Sequence, residues 1–419
     1  MSESSGQWAY YYSGKIMLDL KQIEKAYERV SGVVSRTPFS YAPILSRMTG
    51  YEIYLKKENL QQTGAFKLRG AFNRIALLVE EGKLGGVVAA SAGNHAQGVA
   101  FSARHFGIEA TIVMPESTPL TKVQGVRELG AEVILYGGNY DEAYGYATGY
   151  AAEKRREFVH PFTDEAVIAG QGTVAIEMLE EVPDLDLVVV PVGGGGLISG
   201  IATAVKAKAP ECRVQGVAAQ GAPAMANSYR EGHAIDTTSV RTIADGIAVR
   251  DTSPVTLAYL QSYVDGVELV CEDEIANAIL FLLEKQKVLV EGAGAVGVAA
   301  LLHGKIRMPK GSRIGIVLSG GNIDVTMLSL IIEKGLIKSS RKMKLIVTLV
   351  DKPGSLMHFT ELLSKVSANI VQIGYDRTST DLEFGDANVS VDLETKGEEH
   401  QEEIREILTA HGFAFVEEH

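Results

Sequence analysis

The chain has 419 residues, 46% of them hydrophobic and 22% charged, with a formal net charge of −12. This is the composition of a globular protein of two or three domains, and its acidity argues against nucleic acid or an anionic membrane as partner, because phosphate neutralisation needs a basic surface. No apolar run reaches the roughly 20 residues that span a bilayer, and the two cysteines, Cys212 and Cys271, form no CxxC pair. A reducing cytoplasm is the expected setting, with no metal site.

In chain order, residues 1–16 lack the basic and apolar regions of a secretory leader and read as a poorly ordered extension. Leu18–Val30 has the spacing of an amphipathic helix. Short apolar runs then alternate with helical patterns, and strands are predicted at Gly86–Ala90, Ala110–Met114, Glu132–Tyr136, Leu187–Val190, Val214–Ala218 and Ile314–Leu318. Continuous apolar strands interleaved with helices predict an α/β fold with a parallel sheet covered on both faces. Such sheets bind ligands where strands end in glycine-rich loops.

The pattern changes near position 340. Lys338–Lys344 is polar and basic and reads as a linker. Beyond it come strand Leu345–Val350, a turn at Asp351–Gly354, and a helix from Ser355 to about Ser367. Strands Ile370–Asp376 and Ala387–Leu393, helix Glu398–His411 and strand Phe413–Val416 complete a βαββαβ unit, the ferredoxin-like order. Residues 341–419 carry eight basic against fifteen acidic side chains, so most of the negative charge lies there.

Four loops carry candidate chemistry. In Asn59–Ala71, Lys67 stands between Phe66 and Leu68. Apolar flanks disfavour the ammonium form and make a lysine amine nucleophilic toward an aldehyde, although a lysine opening a helix is commonly just exposed. Ser91–Gly98 follows a strand, and its small residues expose N–H groups suited to a carboxylate. In that loop Asn94 can bond a hydroxyl, while His95 alone reads more readily as structural. Pro191–Leu197 holds four consecutive glycines, which suit a phosphate nest at a helix N-terminus. It is neither GxGxxG nor a P-loop. Leu318–Asn322 ends a strand, and Ser319 can donate to a ring nitrogen; a simple turn is the alternative. An amine, an anion cradle, a carboxylate cradle and a ring-nitrogen partner together describe a pyridoxal-phosphate (PLP) site.

These motifs, in this order, resemble the threonine/serine dehydratase branch of the fold-type-II, tryptophan-synthase-β-like PLP enzymes. The resemblance covers residues 17–335 and includes Thr242–Ala248 and Val290–Ala295. It implies two parallel-sheet subdomains, the smaller at about 50–155. It also implies that Lys67 holds PLP as a Schiff base beside Phe66, that Gly193, Gly194, Gly195, Gly196 and Leu197 bind its phosphate, that Asn94 meets the ring hydroxyl, and that Ser319 meets the pyridine nitrogen. Ser91, Gly93, Asn94 and His95 would receive the substrate carboxylate. The expected reaction is elimination of water from threonine, and from serine, with Lys67 removing the α-proton. Residues 341–419 are similar to an ACT regulatory domain, carried by Asp351–Ser355 and the βαββαβ order. This implies a small effector, isoleucine or valine, and a homodimer or homotetramer.

Two other readings stay open. A serine racemase would need a second acid/base group, but the position that holds a serine in racemases is Ala92 here, and the matching metal-site positions are Gln220 and Ala226. A non-catalytic amino-acid sensor would not need Lys67.

Overall fold

The computed structural model describes residues 11–12, 15–378, 380 and 382–418, with side chains from Met17 onward. Most of the expected extension 1–16 therefore lies outside the described residues; the backbone of Tyr11–Tyr12 pairs antiparallel with Lys15–Ile16. The chain divides into two compact units, Met1–Ile323 and Asp324–His419.

The first unit contains two sheets. The larger has six strands in the order Gly266–Val270, Arg213–Ala219, Leu187–Pro191, Arg313–Leu318, Glu52–Lys57 and Phe39–Tyr41. All pair in parallel except the last, which runs antiparallel to Glu52–Lys57. The smaller has four parallel strands, Glu132–Leu135, Ala110–Met114, Val87–Ala90 and Glu157–Phe158. Val87–Ala90, Ala110–Met114 and Leu187–Pro191 are buried at every residue, the reason they read as unbroken apolar runs. This is the expected α/β architecture of two parallel-sheet subdomains. The expected amphipathic helix runs Leu20–Val30, two residues shorter than its apolar pattern, because Asp19 caps it: its carboxylate accepts from Gln22 N.

Close helix crossings hold the first unit together. A Cβ on Gly170 would lie 2.5 Å from the carbonyl oxygen of Arg69, and one on Gly200 would lie 2.6 Å from the backbone nitrogen of Gly172. The helix Glu165–Glu181 therefore lies against Lys67–Glu80 on one side and Gly196–Lys208 on the other, with close backbone approach at Gly170 and Gly200. Those two outer helices begin at the lysine loop and the tetraglycine loop.

The Asp324–His419 unit opens with helix Val325–Lys338. Its sheet orders Asn369–Asp376, Asp386–Glu394, Lys342–Val350 and Ala414–Glu418, all antiparallel, with helices Ser355–Lys365 and Glu398–Ala410 between them. This is the expected ferredoxin-like order. The linker expectation needs correction, because the first strand starts at Lys342, inside the basic run. Met343, Leu345, Val347 and Leu349 alternate into the core, while Lys342 bonds Glu333 and Asp392 at 2.6 and 3.1 Å. Among the described residues, no helix is long and apolar enough to cross a membrane.

Candidate active site

Three of the loops follow the carboxyl ends of larger-sheet strands, and the Ser91–Gly98 loop follows strand Val87–Ala90 of the smaller sheet. The lysine loop is zipped to the serine loop: Phe66 N donates to Ser319 O at 3.0 Å, Gly321 N donates to Gly64 O at 2.9 Å, and Ala65 bridges Gly320. Gly64 has φ +73°, and a Cβ there would collide with Asn322 Oδ1, so glycine is required on both counts. The Ser91–Gly98 loop joins through Asn94, whose Oδ1 accepts from Asn322 Nδ2 at 2.8 Å. Asn94 Nδ2 donates to both oxygens of Glu291, at 2.9 and 3.1 Å.

Lys67 opens its helix with Phe66 as the preceding cap residue, and its Nζ lies 5.3 Å from the Phe66 ring centroid. The amine donates to the carbonyl of Pro161 at 3.0 Å. Burial lowers its pKa to about 8 against the opposing pull of Glu291. The apolar-flank argument from sequence thus has a tertiary basis. Glu291 is itself pushed up to about 7, by burial first and then by Asp245, against hydrogen bonds from Asn94 and Asn322. A Cβ on Gly320 would come within 2.5 Å of this carboxyl, and one on Gly246 within 3.1 Å, so the two loops wall it in.

Ser91 Oγ accepts from Gly93 N at 3.2 Å, and a Cβ on Gly93 would meet nothing within 4 Å. Gly93 caps the helix Asn94–Phe106, so the first-turn N–H groups of Asn94, His95 and Ala96 have no partner within the helix. The His95 ring is structural: it is buried, Nε2 lies 2.9 Å from Val159 O, and burial followed by the charge of Lys67 lowers its pKa to about 3.

The tetraglycine loop leads into helix Gly196–Lys208, with Gly195 left-handed at φ +87°. Each glycine has a packing reason. Added Cβ atoms at 193, 194, 195 and 196 would fall 2.8, 2.5, 2.8 and 2.9 Å from Ile247, Phe162, Thr256 and Phe162 again. The chain itself occupies the space the missing side chains leave. The case for an anion therefore rests on the helix-start N–H groups and the left-handed turn, rather than on the glycine count. Leu197 is buried in the first turn, and Ser319 is buried just beyond strand Arg313–Leu318.

The family model described as pyridoxal-phosphate dependent enzyme matches residues 30–320. The chain belongs to the pyridoxal-phosphate-dependent enzyme family. It is 50% identical to an L-threonine ammonia-lyase of Thermotoga maritima over 397 residues, 95% of this chain and 98% of that protein. Among solved structures, it is similar to threonine deaminase isoform 2 of Solanum lycopersicum (TM-score 0.71, 38% identity, 76% of this chain and 89% of that one). It is equally similar in shape to maize serine racemase (TM-score 0.71, 37% identity, 76% and 98%).

The residues present fit the cofactor that defines this family. Lys67 is a buried amine pulled toward neutrality, Gly195 makes a left-handed turn into a helix start, and the first-turn N–H groups of Asn94, His95 and Ala96 have no partner within their helix. Among the described residues, no three His, Cys, Asp or Glu side chains gather as for a metal ion. Sequence reasoning missed the segment Val159–Asp164, and it gave Asn322, within the noted loop Leu318–Asn322, and Glu291 no role. Glu291 lay within the noted run Val290–Ala295, yet only the fold puts it against Asn94.

Proposed function

We propose that this PLP enzyme is a threonine ammonia-lyase, converting L-threonine to 2-oxobutyrate and ammonia and L-serine to pyruvate. The observation that carries the proposal is the state of Lys67: a buried amine, lowered to about 8 and held by Pro161 O beside the tetraglycine loop. The likeness to the Thermotoga ammonia-lyase over nearly the whole chain supports the substrate.

In this reading Lys67 anchors the cofactor beside Phe66. The N–H groups of Gly193, Gly194, Gly195, Gly196 and Leu197 bind its phosphate, Asn94 contacts the ring hydroxyl, and Ser319 contacts the pyridine nitrogen. Bound PLP supplies the electron sink that lets the substrate α-C–H bond ionise. The substrate carboxylate is received by Ser91, Gly93, Asn94 and His95, with His95 acting through its backbone N–H because its ring is committed to Val159. Lys67 Nζ takes the α-proton, and a proton affinity near neutrality suits that task. Glu291 holds the Asn94 amide and so orients the ring contact. A serine rather than a carboxylate at the ring nitrogen keeps the sink modest, favouring prompt loss of the β-hydroxyl.

The racemase alternative lacks its second acid/base. Ala92 packs against the core of the smaller subdomain and has no transferable proton. Residues 341–419, within the Asp324–His419 unit, are proposed as an ACT-like effector module for isoleucine or valine, within a homodimer or homotetramer of the cytoplasm. Its support is the ferredoxin-like order and Gly354, which opens helix Ser355–Lys365 at φ +94°. The side chain of Asn369, a candidate effector contact, already donates to Glu394 at 2.7 Å.

The test is release of 2-oxobutyrate from threonine and pyruvate from serine, with chiral analysis of the remaining serine. Lys67→Ala should abolish release. Retention of a tenth of wild-type elimination, or racemisation outpacing elimination in the wild type, would sink the reading.

A further inference from the structure

One six-residue segment, Val159–Asp164, touches three of the four loops. The Val159 carbonyl lies 2.9 Å from His95 Nε2, in the carboxylate loop. The Pro161 carbonyl accepts from Lys67 Nζ at 3.0 Å. The Phe162 ring fills the space beside Gly194, where an added Cβ would come within 2.5 Å, and Phe162 Cα lies against Gly196. The segment leaves strand Glu157–Phe158 and ends at Asp164, whose carboxylate caps helix Glu165–Glu181.

Little in the backbone closes this turn. Proline at 161 has no N–H to give, and among the described backbone–backbone bonds none is made within 160–163. The closing acceptor is a side chain: His160 Nδ1 accepts from Phe162 N at 3.3 Å and from Thr163 N at 3.1 Å. A nitrogen that accepts two N–H bonds carries no proton, so the ring proton sits on Nε2. The ring is held edge-on to Phe162, Tyr144 and Phe158, with centroids 4.7, 5.9 and 6.3 Å away. Burial, helped by the charge of Lys67, lowers its pKa to about 4, which keeps the acceptor free at neutral pH.

We propose that His160 is a positioning residue whose unprotonated Nδ1 shapes Val159–Asp164, and through it aligns the Lys67 amine, the tetraglycine loop and the carboxylate loop. The inference rests on Lys67 being the cofactor anchor, and it adds a residue outside the cofactor and substrate contacts proposed above. The consequence is specific: the acceptor matters, and the aromatic ring is secondary.

Two substitutions separate those properties. His160→Phe keeps the ring and removes the acceptor. His160→Asn removes the ring and keeps an acceptor that can bond N–H groups two and three residues on. The first readout is the affinity of the apoprotein for pyridoxal phosphate, by equilibrium dialysis. The second is the pH at which Lys67 in the apoprotein becomes half-reactive toward an acylating reagent, followed by peptide mass spectrometry.

His160→Phe should weaken cofactor binding about tenfold, the effect of leaving the half-buried N–H groups of Phe162 and Thr163 without their acceptor. It should also move the Lys67 midpoint up from about 8, as water reaches the amine. His160→Asn should stay near wild type in both. A His160→Phe chain that fails to fold, beside a His160→Asn chain that folds and binds, equally supports the proposal. Two variants that both match wild type, or that are equally impaired, would overturn it. Failure of the wild-type protein to take up pyridoxal phosphate would instead sink the parent reading.

Discussion

Replacing Arg69 by methionine tests how the lysine loop is anchored. Arg69 stands two residues after Lys67 and is wholly buried. Its guanidinium bonds both oxygens of Glu58, each at 2.8 Å, and both oxygens of Glu177, at 2.7 and 2.9 Å. Lys56, also fully buried, holds Glu177 at 2.5 Å, and the Thr37 hydroxyl donates to Glu58. Two cations and two carboxylates thus balance in a buried cluster that joins strand Glu52–Lys57 to helices Lys67–Glu80 and Glu165–Glu181.

Methionine removes one cation. Glu177 keeps Lys56, but Glu58 keeps only a hydroxyl. Breaking a buried pair in this way costs about 3–5 kcal/mol, because a buried charge is left uncompensated. Equilibrium urea unfolding of the apoprotein measures it. Glu58→Gln in the same chain should recover more than half of the loss, since the stranded charge is then gone. The pH dependence has a definite sign. In the wild type, burial raises the Glu58 pKa but Arg69, by charge and hydrogen bonds, takes it below its ordinary value. Without Arg69, burial, the largest influence, is opposed only by the charge of Lys56 and the Thr37 hydrogen bond, and the pKa should rise above the ordinary 4.5. The deficit should therefore shrink as pH falls toward 4.5, where Glu58 can take up a proton. A loss under about 1 kcal/mol, or a double variant no better than the single one, would refute the reasoning.

Gly194→Ala should cost cofactor affinity more than tenfold and destabilise the fold, because its Cβ would sit 2.5 Å from a packed Phe162 ring; fluorescence titration with pyridoxal phosphate reads the first and thermal melting the second. Acid should destabilise the apoprotein between pH 6.5 and about 4. His95 and His160 are lowered from 6.5 to about 3 and about 4, so the unfolded chain binds their protons first. The His160 share is about 3 kcal/mol, and urea unfolding of His160→Asn across that range should show a flatter profile. Truncation after Ile323 should preserve 2-oxobutyrate release but abolish any response to isoleucine or valine; a full response in the truncated chain would place regulation in the first unit.

Much of the site was legible because it is local. Tetraglycine after an apolar strand, SAGNH after another, and SGGN after a third are contiguous signals at strand ends. The parallel sheets were legible for a similar reason, since strands buried on both faces are apolar at every position. Glu52–Lys57 escaped notice because its penultimate Lys56 looks like a surface residue; only Glu177, 121 positions away, makes its burial tolerable. Lys342 hid the start of a strand in the same way, with its partners in Glu333 and Asp392.

The sequence by itself determined the α/β class, the loop motifs of a pyridoxal-phosphate-dependent enzyme, and that a ferredoxin-like unit follows. These depend on neighbours a few residues apart, where backbone geometry and side-chain type are enough. Only the tertiary structure decided what tunes and aligns them. It set the Lys67 amine on Pro161 O, faced the Asn94 amide with Glu291, packed Phe162 against Gly194 and Gly196, and neutralised Arg69 with Glu58 and the distant Glu177. Proton affinity and alignment depend on burial and on charges a few ångströms away, and those distances exist only once residues far apart in the chain have been folded together.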